Sequence, residues 1–144
     1  MPYPEMMIHG MRQELAQLGF EETKTPEAVE EAVKNTEGTL MVVVNSVCGC
    51  AAGGVRPGIA MALQHSENKP DKTITVFAGA DIDATARARE HLAPYPPSSP
   101  AIGLFRDGKL VWMMERWQIE GQDAPAIAGQ LKEAFNQYCA PVVQ

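Results

Sequence analysis

Apolar residues recur along the chain at two different spacings, and the switches between them lay out the elements. Met11, Leu15 and Leu18 lie on one face of a predicted helix, with Gly19 as its stop. A second helix is announced by Thr25-Pro26-Glu27. These supply an N-cap hydroxyl, a proline where no N–H is needed, and an acid against the positive end of the helix. Ala28, Val29, Ala32 and Val33 form its apolar stripe, and Gly38 closes it. The pattern then changes. Residues 40–44, Leu-Met-Val-Val-Val, are apolar without a break and rich in β-branched side chains, as in a central strand buried on both faces. Val55, Ile59, Met61, Ala62 and Leu63 predict a helix that Pro57 would kink if it lay inside it. Residues 73–78 read as a second strand and 83–92 as a helix with a largely solvated face, capped by Asp81 and Asp83. The proline-rich stretch 95–100 is an ordered loop before a third strand at 101–105. Asp107-Gly108 marks a hairpin turn, and 110–114 is the returning strand. Asp123 caps a final helix reaching Tyr138, with Pro125 in its first turn and Ile127, Leu131, Phe135 and Tyr138 on one face.

This order, strands joined through helices and then a terminal hairpin and helix, predicts an α/β fold. It is a three-layer α/β/α sandwich with extra N-terminal helices and a mixed sheet. The 144 residues suit one domain, 1–144, with a core large enough to fold without disulfides or a structural metal. With 45% hydrophobic and 21% charged residues the chain is globular in type. Its net charge of −6 argues against a nucleic-acid partner or an anionic membrane surface. The aliphatic run 40–44 is far short of the ~20 residues of a membrane span. The start of the chain carries Glu5 and Glu14 and no apolar h-region, so a cytoplasmic location is expected. Gly53-Gly54 lacks the spacing of a nucleotide-binding loop, and no Ser-His-Asp elbow is present.

Three cysteines are an odd, small set, unlike the framework of a secreted disulfide protein. Cys139 falls at the end of the last helix and is expected to be structural or exposed. Cys48 and Cys50, separated by Gly49, fall where the buried strand hands over to a helix. Free N–H groups and a partial positive charge there stabilise a thiolate, the nucleophile of disulfide exchange. The Cys48 pKa is therefore expected to be lowered. Residues two apart on a helix point to nearly opposite sides. A Cys48–Cys50 disulfide thus needs a local bend at Gly49, and its small ring would be strained and easily reduced. Ala51-Ala52-Gly53-Gly54 has no bulky side chain, which leaves the sulfurs open to a partner; the plainer alternative is a helix simply starting against the sheet. Two inert buried thiols are the other plain reading. Two thiolates are too few for a closed zinc site, and His9, His65 and His91 show no paired ligand spacing. Copper(I) accepts two soft ligands, so a copper-binding thiolate protein stands as the alternative from a different class.

The run Val44-Asn45-Ser46-Val47-Cys48-Gly49-Cys50-Ala51, with Arg56-Pro57, closely resembles the signature of the bacilliredoxin family. These are small bacterial thioredoxin-like proteins with a Cys-Gly-Cys active site. The blocks Thr75 to Gly79, Arg87 to Glu90, Pro97-Ser98-Ser99-Pro100, Asp107-Gly108-Lys109 and Glu120-Gly121 extend the resemblance over nearly the whole chain. It implies a thioredoxin fold and a thiol–disulfide oxidoreductase acting on client proteins capped by bacillithiol, a low-molecular-weight thiol. Cys48 would attack and Cys50 would be the second, resolving cysteine. Bacillithiol would be a co-substrate, and no organic cofactor or resident metal is implied. The resemblance also implies a cis bond before Pro100, with the Ser99 backbone turned towards an incoming disulfide. Gly49, Ser99 and Pro100 are thus expected at the substrate. Of the arginines 12, 56, 87, 89, 106 and 116, Arg56 is the first candidate for the bacillithiol carboxylates. One departure is Arg116-Trp117, where the family more often has histidine beside the arginine; Trp117 is expected to pack inside. Met6, Met7, Met11, Met113 and Met114 are expected in the core or at docked helices. A general disulfide isomerase or reductase is the alternative within the same chemistry.

Overall fold

In the computed structural model, which describes residues 2–141, five strands form one mixed sheet. They are β1 (Glu21–Glu22), β2 (Thr39–Asn45), β3 (Lys72–Phe77), β4 (Ala101–Arg106) and β5 (Lys109–Met114), in the spatial order β1-β3-β2-β4-β5. β2 lies at the centre, parallel to β3 and antiparallel to β4. The helices are α1 (Glu5–Ala16), α2 (Pro26–Asn35), α3 (Arg56–His65), α4 (Ile82–His91), α5 (Arg116–Ile119) and α6 (Ala124–Tyr138).

The unbroken apolar run of β2 is explained by its two covered faces. Met41 and Val43 join the core formed with α1, α3 and α6, through Leu15, Ile59, Ile127 and Leu131. Leu40, Val42 and Val44 join the opposite core with α2 and α4, through Val29, Val33, Ala84 and Ala88. A strand in this position needs apolar side chains at every residue. The predicted caps of α2 and α6 are present. Thr25 Oγ1 accepts from the Ala28 N–H (3.1 Å) and Asp123 Oδ1 from the Ala126 N–H (3.0 Å). Asp107 and Gly108 both take positive φ, 49° and 81°, as a two-residue hairpin turn with the twist of its strands requires.

Several elements differ from expectation. α1 starts at Glu5, so Met6 (95% exposed) and Met7 point to solvent instead of docking, whereas Met113 and Met114 are buried as expected. Asp81 stands at the start of α4 but its side chain does not cap it. A stronger partner claims that carboxylate: the buried Arg12 guanidinium donates to it at 2.7 and 2.9 Å, and the Phe77 N–H adds a third bond at 3.0 Å. β1, only two glutamates long, has no hydrophobic pattern to announce it; Thr23 anchors it by donating its N–H and hydroxyl to the Thr75 carbonyl (3.0 and 3.1 Å). α5, at four residues too short for an apolar stripe, carries one local signal, the reciprocal capping box of Glu115 and Gln118 around its first turn.

Candidate active site

The C-terminal end of β2 carries the two cysteines, and each residue leading to them has a defined task. Asn45 Oδ1 accepts from the Ser46 N–H (2.9 Å), its Nδ2 donates to the Met11 carbonyl (3.2 Å), and the Ser46 hydroxyl oxygen accepts from the Cys48 N–H (3.2 Å). The Cys48 carbonyl then receives the N–H groups of Ala51 and Ala52 (3.1 and 3.2 Å), so helical bonding begins at Cys48 itself. Both sulfurs sit at the helix start, 2.7 Å apart as free thiols.

Residues Ala51–Val55 form a wide π-helical turn before α3, with the Arg56 N–H reaching the Ala51 carbonyl five residues back. The chain regains α geometry from Arg56 onward, where a residue without an N–H is tolerated. Pro57 thus sits in the first turn of α3 and not in its interior. The small residues after the motif divide their work. A Cβ at Gly49 or Gly53 would meet nothing within 4 Å, so packing does not require glycine at either position. One at Gly54 or Gly58 would come within 2.9 Å of Ile127, so these two glycines let α6 pack closely.

The two thiols are driven in opposite directions. Partial burial opposes the Cys48 thiolate, but hydrogen bonds from the Cys50 thiol, the Ser46 hydroxyl and the Ala51 and Cys50 N–H groups outweigh it and lower the Cys48 pKa. Burial raises the Cys50 pKa, and its role as donor to Cys48 and the nearby Cys48 charge raise it further, against a smaller lowering by Arg116. Of the two, Cys48 is therefore the more readily ionised, and Cys50 holds its proton more tightly.

The loop before β4 arrives alongside. The Ser99–Pro100 bond is cis, as is Ala93–Pro94. Ala101 pairs with Val44 and Ile102 with Met114. Ser99-Pro100 therefore lies between the strand end leading to Cys48 and the start of α5. Gly49, Ser99 and Pro100 share this end of the sheet with Cys48 and Cys50. Arg56 is different. It is 3% exposed, and its guanidinium is engaged by Glu14 (2.9 Å), Asn45 Oδ1 (3.0 Å) and the Ser46 carbonyl (2.9 Å). It is buried against the base of the motif and braces it. Positive charge near the sulfurs comes from Arg116, which lowers the Cys50 pKa. The Arg116 pKa is raised first by its bond to Glu120 and then by the Cys48 and Cys50 charges. Nothing in the sequence separation of Arg116 from the cysteines, over sixty residues, announces this; the hairpin register does.

Trp117 is 70% exposed, not packed inside, and its indole N–H donates to Glu115 (2.9 Å). The short α5 explains this. Ile119 is its buried residue, and two positions earlier on a helix is nearly the opposite side. Cys139 lies at the other end of the sheet, beside Thr39, and burial raises its pKa. Among the described residues no three His, Cys, Asp or Glu side chains are grouped to hold a metal, and no helix is long and apolar enough to cross a membrane.

Comparison with known proteins agrees with this geometry. The family described as disulphide isomerase matches residues 3–139. A bacilliredoxin of Koribacter versatilis is 58% identical over 137 residues, covering 95% of this chain and 94% of that protein. A bacilliredoxin of Halalkalibacterium halodurans is 47% identical over 137 residues, covering 95% and 94%. Among solved structures, Fasciola hepatica thioredoxin superposes with a TM-score of 0.58 at 16% identity, covering 83% of this chain and 99% of that one. Mitochondrial thioredoxin 3 of Saccharomyces cerevisiae does so at 0.55 and 14%, covering 83% and 96%. At such identities these two speak for the fold alone. The sheet, the paired thiols at the strand-to-helix junction and the relatives together show that the chain belongs to the bacilliredoxin family of thioredoxin-fold thiol–disulfide oxidoreductases.

Proposed function

We propose that the protein removes bacillithiol from mixed disulfides on client proteins, in a reducing compartment such as the cytoplasm. The Cys48 thiolate attacks the bacillithiol sulfur. A Cys48–bacillithiol disulfide forms, the client S–S bond breaks, and the client sulfur leaves with the electron pair and takes up a proton. Clearing the adduct consumes a second thiol. Either free bacillithiol attacks, releasing bacillithiol disulfide, or Cys50 attacks, releasing bacillithiol and leaving a Cys48–Cys50 disulfide for an external dithiol to reduce. Gly49 leaves room for the client backbone, and Ser99-Pro100 presents backbone to it.

The observation that supports this reading is the opposite shift of the two thiols. A lowered Cys48 attacks, and a raised Cys50 keeps its proton until the adduct forms. The high identity to bacilliredoxins supports the choice of thiol. The test is mass spectrometry of the reduced protein mixed with a bacillithiolated client. The expected result is loss of the adduct from the client and its appearance on Cys48 in the Cys50→Ser variant. A client that keeps its bacillithiol while a plain protein disulfide is reduced would refute the bacillithiol assignment and leave a general disulfide reductase.

A further inference from the structure

Arg116 is oriented by two bonds and has donor capacity left over. Its Nε donates to Glu120 Oε1 (2.7 Å) and its Nη1 to the Ser99 carbonyl (3.1 Å). Its backbone N–H reaches the Ser98 hydroxyl (3.4 Å). Among the described residues, Nη2 makes no hydrogen bond. The side chain is 44% exposed, and its partner Glu120 is 57% exposed. An arginine of this kind is unlike Arg56, whose guanidinium is buried and engaged on three sides. The Ser99 bond fixes the guanidinium beside the loop that an incoming disulfide would meet. The Glu120 bond is an exposed ion pair of a type that contributes little, so the cation keeps its attraction for a ligand carboxylate.

We infer that Arg116 is the specificity residue of the site. It receives a carboxylate of the small thiol carried in the mixed disulfide, through the guanidinium edge that Ser99 and Glu120 leave unfilled. The class selected is a low-molecular-weight thiol bearing carboxylate groups. The inference builds on the proposed bacillithiol reaction but is tested apart from it. During the transfer the leaving client sulfur departs from the sulfur that Cys48 attacks, and Arg116 holds the half that stays. Planar N–H donors paired to a carboxylate orient it as well as attract it. Glu120 competes for the same cation and sets how strongly the preference is felt.

The test compares two small disulfides of similar reach, 3,3′-dithiodipropionate with a carboxylate on each arm and 2-hydroxyethyl disulfide with none. Each is mixed with the reduced full-length protein. Cys48 forms a mixed disulfide with one half and expels the other as a thiol; Cys50 then closes the Cys48–Cys50 disulfide and expels the second. No further reductant enters. The readout is the ratio of the two second-order rate constants, charged over neutral. Any effect of Arg116 on the thiolates cancels in that ratio. In Arg116→Gln the ratio is expected to fall about tenfold, the loss of one charge-assisted pair at a partly exposed site. Arg116→Lys should recover part of it, and Glu120→Gln should raise it above the parent value. Equal slowing of both disulfides in Arg116→Gln, or an unchanged ratio in either Gln variant, would overturn the inference. A parent protein that shows the carboxylate preference yet leaves a bacillithiolated client untouched would defeat the bacillithiol reading and not this one.

Discussion

Cys48→Ser is expected to lower disulfide exchange by at least about a thousandfold, equivalent to roughly 4 kcal/mol of barrier. The reason lies in the donors gathered on that sulfur. The Cys50 thiol, the Ser46 hydroxyl and two backbone N–H groups stabilise charge at position 48, and a serine hydroxyl does not ionise to use them. Cys50→Ser should behave otherwise. It removes the resolving thiol and one of several donors, so the first attack should survive within about tenfold while the mixed disulfide accumulates. Single-turnover rates with a disulfide substrate, followed by mass spectrometry of the adduct, separate the two variants. Equal loss in both would mean that the sulfurs act interchangeably, against the opposite shifts that the site imposes on them.

The largest effect on stability is expected at Arg12, far from the sulfurs in sequence but part of the frame beneath them. Its guanidinium is 5% exposed and lies between Glu5 (2.8 Å) and Asp81 (2.7 Å), with Glu22 at 3.6 Å and the Phe77 ring centroid at 5.4 Å. The Asp81 side chain is itself only 7% exposed. Arg12→Ala leaves that carboxylate in a low-dielectric site without its cation. Breaking a buried pair in this way costs about 3–5 kcal/mol. For a chain of this length that is on the order of a 10 °C fall in Tm. The remedy is also predictable: adding Asp81→Asn to Arg12→Met removes the orphaned charge and restores apolar packing, so the double variant should be more stable than Arg12→Ala. Thermal and urea unfolding of the three proteins measure this. A loss under about 1 kcal/mol for Arg12→Ala would place the network in solvent-screened surroundings.

These two residues mark what was legible in the sequence and what was not. The core elements were readable because both faces of β2 had to be apolar and because capping residues are local signals, as at Thr25 and Asp123. The Cys48-Gly49-Cys50 motif was readable for the same reason: its setting, strand then helix, is contiguous in the chain. What depends on distant segments was not. Arg56 follows the motif closely and was the natural candidate for a substrate carboxylate. Yet α3 turns it inward to Asn45 and Glu14, and the hairpin brings Arg116 instead. Asp81 had the position of a cap and became the counter-ion of Arg12, sixty-nine residues away. Trp117 was expected inside because tryptophan usually is, but a one-turn helix that must bury Ile119 leaves it outside. In each case residue type suggested a role, and the pairing of remote strands and helices decided it.

The central claim is that the site favours ionisation of Cys48 over Cys50, and it is tested most directly by alkylation against pH. Reduced protein is treated briefly with iodoacetamide across a pH series, and tandem mass spectrometry assigns the first addition to one side of Gly49 or the other. The pair is expected to titrate in two steps. The first, reported by modification at Cys48, should lie below the ordinary thiol value, and the second, at Cys50, above it. A single step at the ordinary value, shared by both cysteines, would contradict the account.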